Sequence, residues 1–394
     1  MKKIGIITHF YNSENYGGNL QAYALVVSLR KNAYDAEQIS YKFRVEDQFV
    51  SRKDRIFKQI KQKDFLKRIL KKAKKIPELL YTNYENRRNS ARNKRKNAFH
   101  MFNQNLIAHS GNVFDSKNII ECITQYDAFI TGSDQVWNFT WYNPEFFLDF
   151  VPSDKIKLSY AASIACDHLT NSQKEIFRNS LKDYKAVSVR EKSAVNLISD
   201  LSPVPVENVL DPTLLLDRSD WDEICSDRVI ADDYVFCYFL GENKQSRKLA
   251  ERFAKQNNLK LVTIPHAGGW IKLADRNFGD VKLFDATPND FISLIKHARY
   301  VFTDSFHAVV FSYIYQKQYF VFNRNKTGEM SSRIQDITEL FGAPSRFCYD
   351  ASRENFQYLN SLSDIDYTQA NPIFEKLKQE SIEFLKRNLG DTEG

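Results

Sequence analysis

The chain has 394 residues, 43% hydrophobic and 14% aromatic, material for about two or three domains with substantial cores, which excludes a disordered or fibrous protein. Its formal charge of +7 comes without any helix-turn-helix, RNP or zinc-finger pattern, so no nucleic-acid partner is expected. No window approaches the roughly 18 uninterrupted apolar residues of a membrane span, and the run after Lys2 and Lys3 breaks at His9. A cytoplasmic protein, at most peripheral on the inner face of the cell membrane, is expected. The five cysteines are scattered, with no C-x-x-C pair; neither a metal site nor a disulfide framework is indicated.

Ile4 to Thr8 reads as a buried strand, followed by a polar glycine loop from Tyr11 to Gln21. Leu20, Tyr23, Ala24, Val27 and Leu29 then recur at helical spacing, and Gln38 to Tyr41 reads as a second strand. Strand, glycine loop, helix and strand open a doubly wound sheet. Gly17 and Gly18 would let backbone approach a ligand closely, and a plain turn explains them equally well. There is no G-x-G-x-x-G and no G-K-[ST], so neither a dinucleotide nor a P-loop nucleotide is called for.

Residues 47–101 read as a basic helical insertion. From Lys42 to Lys96 there are 20 Lys and Arg against 6 Asp and Glu, and Ile56, Ile60, Phe65, Ile69, Leu70, Leu79 and Leu80 recur at helical intervals interrupted near Pro77. A solvated charged face and adhesion to an anionic membrane are both open readings.

Asp127 to Asn138 is a short buried strand that runs into a turn of Gly132, Asp134, Gln135, Trp137 and Asn138. At the carboxyl end of a strand in an open sheet such a turn faces the ligand crevice. Asp134 and Gln135 could hydrogen-bond sugar hydroxyls while Trp137 offers an apolar plate. Alternatively the loop holds itself together and Trp137 plugs the core. Further strands are predicted over Lys157–Ala162 and Ala186–Val189, separated by the helix Asn171–Leu181. Arg190 at the end of the second could clamp a carboxylate or phosphate, or simply pair with Glu191. Val209 to Leu215 reads as a final strand, with a linker around Asp217 to Trp221.

The alternation restarts with strands Tyr234–Gly241 and Lys260–Ile264. A helix, Pro288–His297, precedes the most informative stretch, Tyr300 to Phe311. Tyr300, Val301 and Phe302 form a strand, Thr303, Asp304 and Ser305 are cap residues, and Phe306, Val309, Val310 and Ile314 have helical spacing. His307 therefore sits in a helix's first turn, among unpaired N–H groups and the positive end of the dipole. That is an anion site containing a proton carrier. Strand Gln318–Phe322 and helix Ser331–Leu340 follow. The predicted architecture is α/β: two Rossmann-like domains over residues 1–220 and 232–370, with a C-terminal helix in 372–394 that packs back on the first. His9 and His266 follow apolar runs and are candidates to line the cleft between the domains.

The runs N-Y-G-G-N-L-Q at 15–21, Y-D-A-F-I-T-G-S-D-Q-V-W-N at 126–138, S-V-R-E at 188–191, V-L-D-P-T at 209–213 and T-D-S-F-H at 303–307 resemble those of the polysaccharide pyruvyl transferase family. The resemblance implies a fold similar to the two-domain GT-B glycosyltransferases. It also implies transfer of the pyruvyl unit of phosphoenolpyruvate to a sugar as a ketal, commonly on a lipid-linked bacterial glycan of a capsule or exopolysaccharide. Phosphoenolpyruvate is then a co-substrate and no cofactor is needed. Many members carry arginine two residues before the His, where this chain has Ser305, which leaves Arg190, Arg324 and Arg333 as the candidate cations.

Ketal formation requires a cation, a helix N-terminus for phosphate and one group titrating near neutrality. His307 and Asp134 are accordingly the catalytic candidates. Arg190, Ser305, Phe306, Arg324 and Arg333 are the donor-binding candidates, and Asn15, Gly17, Gln21, Asp134, Gln135 and Trp137 the acceptor-binding ones. Asp304 is expected either to orient His307 or to cap the helix. Two rivals share these features: a nucleotide-sugar glycosyltransferase of the same architecture, and a non-catalytic glycan-assembly protein held at the membrane by its basic segment.

Overall fold

The computed structural model describes residues 1–43, 75–265, 271–324, 332–348 and 353–390, without the side chains of 88–89, 91–92, 332–333 and 353–356. The helices predicted around Ile56 to Leu70, and His266, lie outside the described residues.

The first lobe comprises β1 (Lys3–Ile7), α1 (Tyr16–Lys31), β2 (Asp35–Tyr41), α2 (Ile76–Asn89), α3 (Ala91–Leu106), β3 (His109–Phe114), β4 (Ala128–Thr131) and β5 (Ile156–Ser159). It continues with α4 (Asn171–Leu181), β6 (Val187–Val189), α5 (Lys192–Ile198), β7 (Val206–Asn208) and α6 (Arg218–Ile224). The second lobe runs through β8 (Tyr234–Tyr238), α7 (Lys244–Gln256), β9 (Lys260–Thr263), β10 (Val281–Lys282), α8 (Pro288–Lys296), β11 (Tyr300–Thr303), α9 (Phe306–Ile314) and β12 (Gln318–Phe322). It ends with α10 (Ser332–Leu340), β13 (Phe347–Cys348), α11 (Arg353–Ser361) and α12 (Ala370–Leu389).

Among the described residues every strand pairing is parallel. The first sheet has the order β3-β2-β1-β4-β5, and single bridges carry it on to the β6-β7 pair. The second has the order β10-β9-β8-β11-β12-β13. Helices cover both faces, so the central strands are apolar on both sides: Ile4, Ile6 and Ile7 of β1 are each 0% exposed. In both sheets the order reverses beside the first strand, between β1 and β4 and between β8 and β11. A doubly wound sheet opens its ligand crevice at such a reversal.

One apolar cluster runs through both lobes: Phe10, Tyr16, Tyr23 and Phe99 of the first pack with Tyr238, Phe291 and Phe311 of the second. Helix α12 returns to the first lobe, where Phe384, Leu385 and Leu389 share a core with Ile4, Ile6 and Leu25.

Some expected elements differ. The glycine loop expected up to Gln21 ends at Asn15, because α1 begins at Tyr16 and takes Gly17 and Gly18 into its first turn. The stretch Val209 to Leu215 is not a strand: the Asp211 side chain accepts from Thr213 N and starts a single 3₁₀ turn, Pro212–Leu214. The expected linker near Trp221 contains α6, opened by a capping box between Asp217 and Asp220.

Candidate active site

Two helix starts meet where the lobes touch. Helix α9 is buried along its length, from Phe306 to Tyr313, which fixes its rotation and leaves His307 in the first turn facing the first lobe. Opposite is the start of α1. A Cβ on Gly17 would lie 1.9 Å from His307 Nδ1, so the absence of a side chain is what lets the imidazole rest against the helix. Neither helix has a side-chain cap: Asn15 and Ser305 occupy the N-cap positions without capping bonds. The leading N–H groups of both helices are therefore unspent donors at a positive dipole end.

The other ring nitrogen of His307, Nε2, lies 3.7 Å from Asp211 Oδ2, an ion-pair distance longer than a hydrogen bond. The Asp211 side chain is 0% exposed. Its Oδ2 accepts from Ser133 Oγ at 3.0 Å and Arg190 Nη1 at 2.9 Å, and its Oδ1 from Thr213 N at 3.0 Å and Thr213 Oγ1 at 2.6 Å. Burial alone would raise this carboxyl, but His307, Arg190 and Thr213 outweigh burial and hold it well below the usual carboxylate range. Asp211 is a fixed negative charge beside the imidazole.

Arg190 was expected at the mouth of the crevice and is instead buried, 8% exposed. Its guanidinium pairs with Asp211, lies 3.5 Å from Glu191 Oε1 and stacks 4.6 Å from the centre of the Phe306 ring. Burial disfavours its charge, yet these carboxylates and Asp134 more than compensate and hold it firmly protonated. Two carboxylates already match that charge, and Arg190, Asp211 and Phe306 line one cavity together.

Asp134 stands at the carboxyl end of β4 with φ +70°, a left-handed conformation that Asp tolerates better than most residues. Its Oδ2 lies 3.5 Å from Asn15 Nδ2 and 3.4 Å from where a Cβ of Gly18 would be. The structure thus gathers Asn15, Gly17, Asp134 and His307 around one helix start. Gln135, half-buried, accepts a 2.9 Å bond from Asn138 Nδ2. His9, at the end of β1, packs 4.3 Å from the Phe146 ring with Phe43 and Trp141 edge-on. Burial lowers its imidazole below the ordinary value, against the opposing pull of Asp134.

Several expected site residues are engaged in other contacts. Trp137 is 1% exposed, stacked on Phe147 and bonded through Nε1 to Phe146 O, so it plugs the core and offers no plate. Gln21 is 0% exposed and ties α1 to β1, donating to Thr8 Oγ1 and to Gly18 O within its own helix. Asp304 neither caps α9 nor reaches His307; it accepts from Leu240 N at 2.6 Å and Gly241 N at 2.7 Å, bracing the end of β8. Arg324 donates to Asp304 O at 3.2 Å. Arg333 is in α10, but its side chain lies outside the described residues.

Asp211 and Trp141 were missed. Asp211 was concealed because V-L-D-P-T reads as an apolar strand, although Asp before Pro is a turn-starting pattern that could have revealed it. Trp141 is half-buried, its ring 6.5 Å from that of His9 and its Nε1 bonded to Gln135 O at 3.1 Å. Arg95, counted in the charged insertion, is 2% exposed. It lies 4.9 Å from the Tyr16 ring centre and donates to Glu14 O at 3.4 Å, so the end of the insertion is embedded at the lobe boundary rather than solvated.

Chemically, the constellation offers donors for an anion at two helix ends, an imidazole partnered by a permanently ionised carboxylate, and a second carboxylate, Asp134, within reach of hydroxyls. Among the described residues no helix is long and apolar enough to cross a membrane.

Residues 15–326 match the family model for polysaccharide pyruvyl transferase. No curated protein matches the chain. Among solved structures, the UDP-GlcNAc 2-epimerase of Methanocaldococcus jannaschii superposes with a TM-score of 0.53 at 12% identity, covering 97% of this chain and 99% of its own. The S. aureus MnaA–UDP co-structure gives 0.50 at 13% identity, over 99% and 93%. At such identity the likeness concerns the fold alone, which is GT-B-like with two Rossmann-like lobes.

Proposed function

The chain belongs to the polysaccharide pyruvyl transferase family, and from that premise we propose that it transfers the pyruvyl unit of phosphoenolpyruvate to two hydroxyls of one sugar, as a ketal, on a lipid-linked surface glycan. The observation that carries this reading is the His307–Asp211 pair, set between two uncapped helix starts.

The reaction needs two proton deliveries. C3 of the donor gains a proton and becomes the methyl group, while two acceptor oxygens bond to C2 and the C2–O bond to phosphate breaks. The hydroxyls release two protons; one balances that taken up at C3, the other leaves with phosphate. His307 as imidazolium supplies the proton to C3, and Asp211 stabilises that charged form without itself titrating near neutrality. The N–H groups opening α1 and α9, with the Ser305 hydroxyl, receive the phosphate and carboxylate of the donor, and Arg324 is the cation of the second lobe on this side. Asp134, with Asn15 and Gln135 beside it, takes the acceptor hydroxyls and acts as base, and Trp141 rather than Trp137 supplies the plate for the sugar ring. Arg190 is a positioning residue that holds Asp211 and Phe306. In this reading the reaction runs at the inner face of the cell membrane.

Incubation with phosphoenolpyruvate and a galactose- or mannosamine-containing acceptor tests the proposal. Ketal and inorganic phosphate in equal amounts are expected. Turnover of a nucleotide sugar, with phosphoenolpyruvate inert, would overturn it.

A further inference from the structure

Helix α2 leaves three large apolar residues on its solvent side. Its inner side is already engaged: Tyr81, Thr82 and Glu85 are buried, Thr82 Oγ1 accepts a 2.8 Å bond from Ile271 N, and the Arg276 guanidinium lies 5.9 Å from the Tyr81 ring centre. The outer side presents Ile76, Leu80 and Tyr84, stacked at i, i+4 and i+8 and 52%, 63% and 55% exposed; Leu273 of the second lobe, 37% exposed, lies nearby. An open groove of about 570 Å³ joins Leu80, Tyr84 and Leu273 to the cations Arg276 and Lys282. An amphipathic helix that meets only its own protein would show polar residues here.

We infer that this stripe is a docking face for an anionic lipid surface. Two independent features select that occupant. The exposed side chains are a short aliphatic ridge ending in a tyrosine, the type of residue that settles at the level of lipid head groups. Between residues 75 and 96 the chain carries seven Lys and Arg against two Asp and Glu, and Arg276 and Lys282 border the groove, which complements anionic head groups. The same charge disfavours a second copy of this chain as occupant, because two basic segments would be brought together. The inference rests on the reading that the acceptor is lipid-linked, and it specifies which face turns toward the lipid.

The test is flotation of the full chain with phosphatidylcholine vesicles, with and without phosphatidylglycerol, beside a soluble-acceptor turnover assay. Wild type is expected to float only with phosphatidylglycerol. Leu80→Glu combined with Tyr84→Ser is expected to lower that binding by about tenfold or more, as removal of inserted apolar area should, with turnover of the soluble acceptor retained. Wild type failing to float, or the double variant floating equally well, overturns the assignment. So does sedimentation showing a dimer that the double variant dissolves without any vesicle binding by wild type. Vesicle binding is read apart from turnover, so a failure of the pyruvyl-transfer chemistry would be seen separately.

Discussion

His307 and Asp211 face one another at 3.7 Å across the boundary between two lobes. Neither lobe contains both, so the imidazole and the carboxylate facing it exist as a pair only while the lobes are together. The apolar cluster shared by the lobes, with Tyr16 bonded through its hydroxyl to Ala286 O at 2.7 Å, holds them so.

Asp211→Asn preserves size and the bond from Thr213 but removes the charge that both His307 and Arg190 face. Turnover is expected to fall about tenfold or more, since the imidazolium loses its counter-charge. Breaking a buried ion pair on one side typically costs about 3–5 kcal/mol, so the melting temperature should fall as well. Calorimetry and steady-state kinetics on the purified variant check both. Unchanged turnover would remove Asp211 from the chemistry.

Stability should weaken in two separate pH windows. His9 has a folded pKa below its ordinary value because burial disfavours the imidazolium. The unfolded chain, titrating at about 6.5, then binds more protons. This contribution is complete above about pH 6.5 and is lost as pH falls through the folded value. Asp211 behaves likewise at lower pH: burial raises it, its partners outweigh burial, and its contribution is complete above about 3.9 and lost below. Melting curves from pH 8 to 3 should show His9→Phe flattening the first decline and Asp211→Asn the second. A variant curve parallel to wild type in its window would contradict the assignment of that window.

Gly17→Ala should separate stability from activity. Alanine is the better helix former by roughly 0.5–1 kcal/mol, yet its Cβ would fall 1.9 Å from His307 Nδ1, so the ring must move. Misplacing a catalytic group by about an ångström can cost on the order of 100-fold. Turnover should therefore collapse in a protein whose circular dichroism is native. Full activity would mean that the ring does not react from this position.

The two tryptophans of the 126–141 stretch should respond in opposite ways. Trp137→Ala opens a cavity against Phe147 and Phe177 and is expected to cost about 3–5 kcal/mol. Trp141→Ala should leave the melting temperature nearly unchanged while raising the acceptor KM. If instead Trp137→Ala is the variant with the raised KM, the acceptor lies on the other side of this loop.

Much of this organisation is legible in the residues because local pattern and global fold agree. The apolar strands Ile4 to Ile7 and Tyr300 to Thr303, and the helix that puts His307 in its first turn, read directly. What hid was decided by tertiary contact. β3, with Ser110, Gly111 and Asn112 in its middle, is a polar edge strand with no apolar alternation to betray it. Arg190 and Arg95 look like surface cations until their carboxylate and aromatic partners arrive from distant segments. Trp137 and Trp141 have the same chemistry and lie in the same loop, and periodicity has no means of telling which indole turns inward. Asp211 joins Ser133 after β4, Arg190 after β6 and His307 of α9, a meeting that no spacing along the chain encodes.

The most direct measurement is the isotope content of the ketal methyl group formed in D₂O from phosphoenolpyruvate, with wild type and His307→Ala compared. Wild type is expected to place one deuterium in that methyl group with stoichiometric phosphate, and His307→Ala to lose about 10²- to 10⁴-fold in turnover while remaining folded. Wild-type product with no solvent hydrogen at C3, or near-native turnover without the imidazole, would contradict proton delivery by His307.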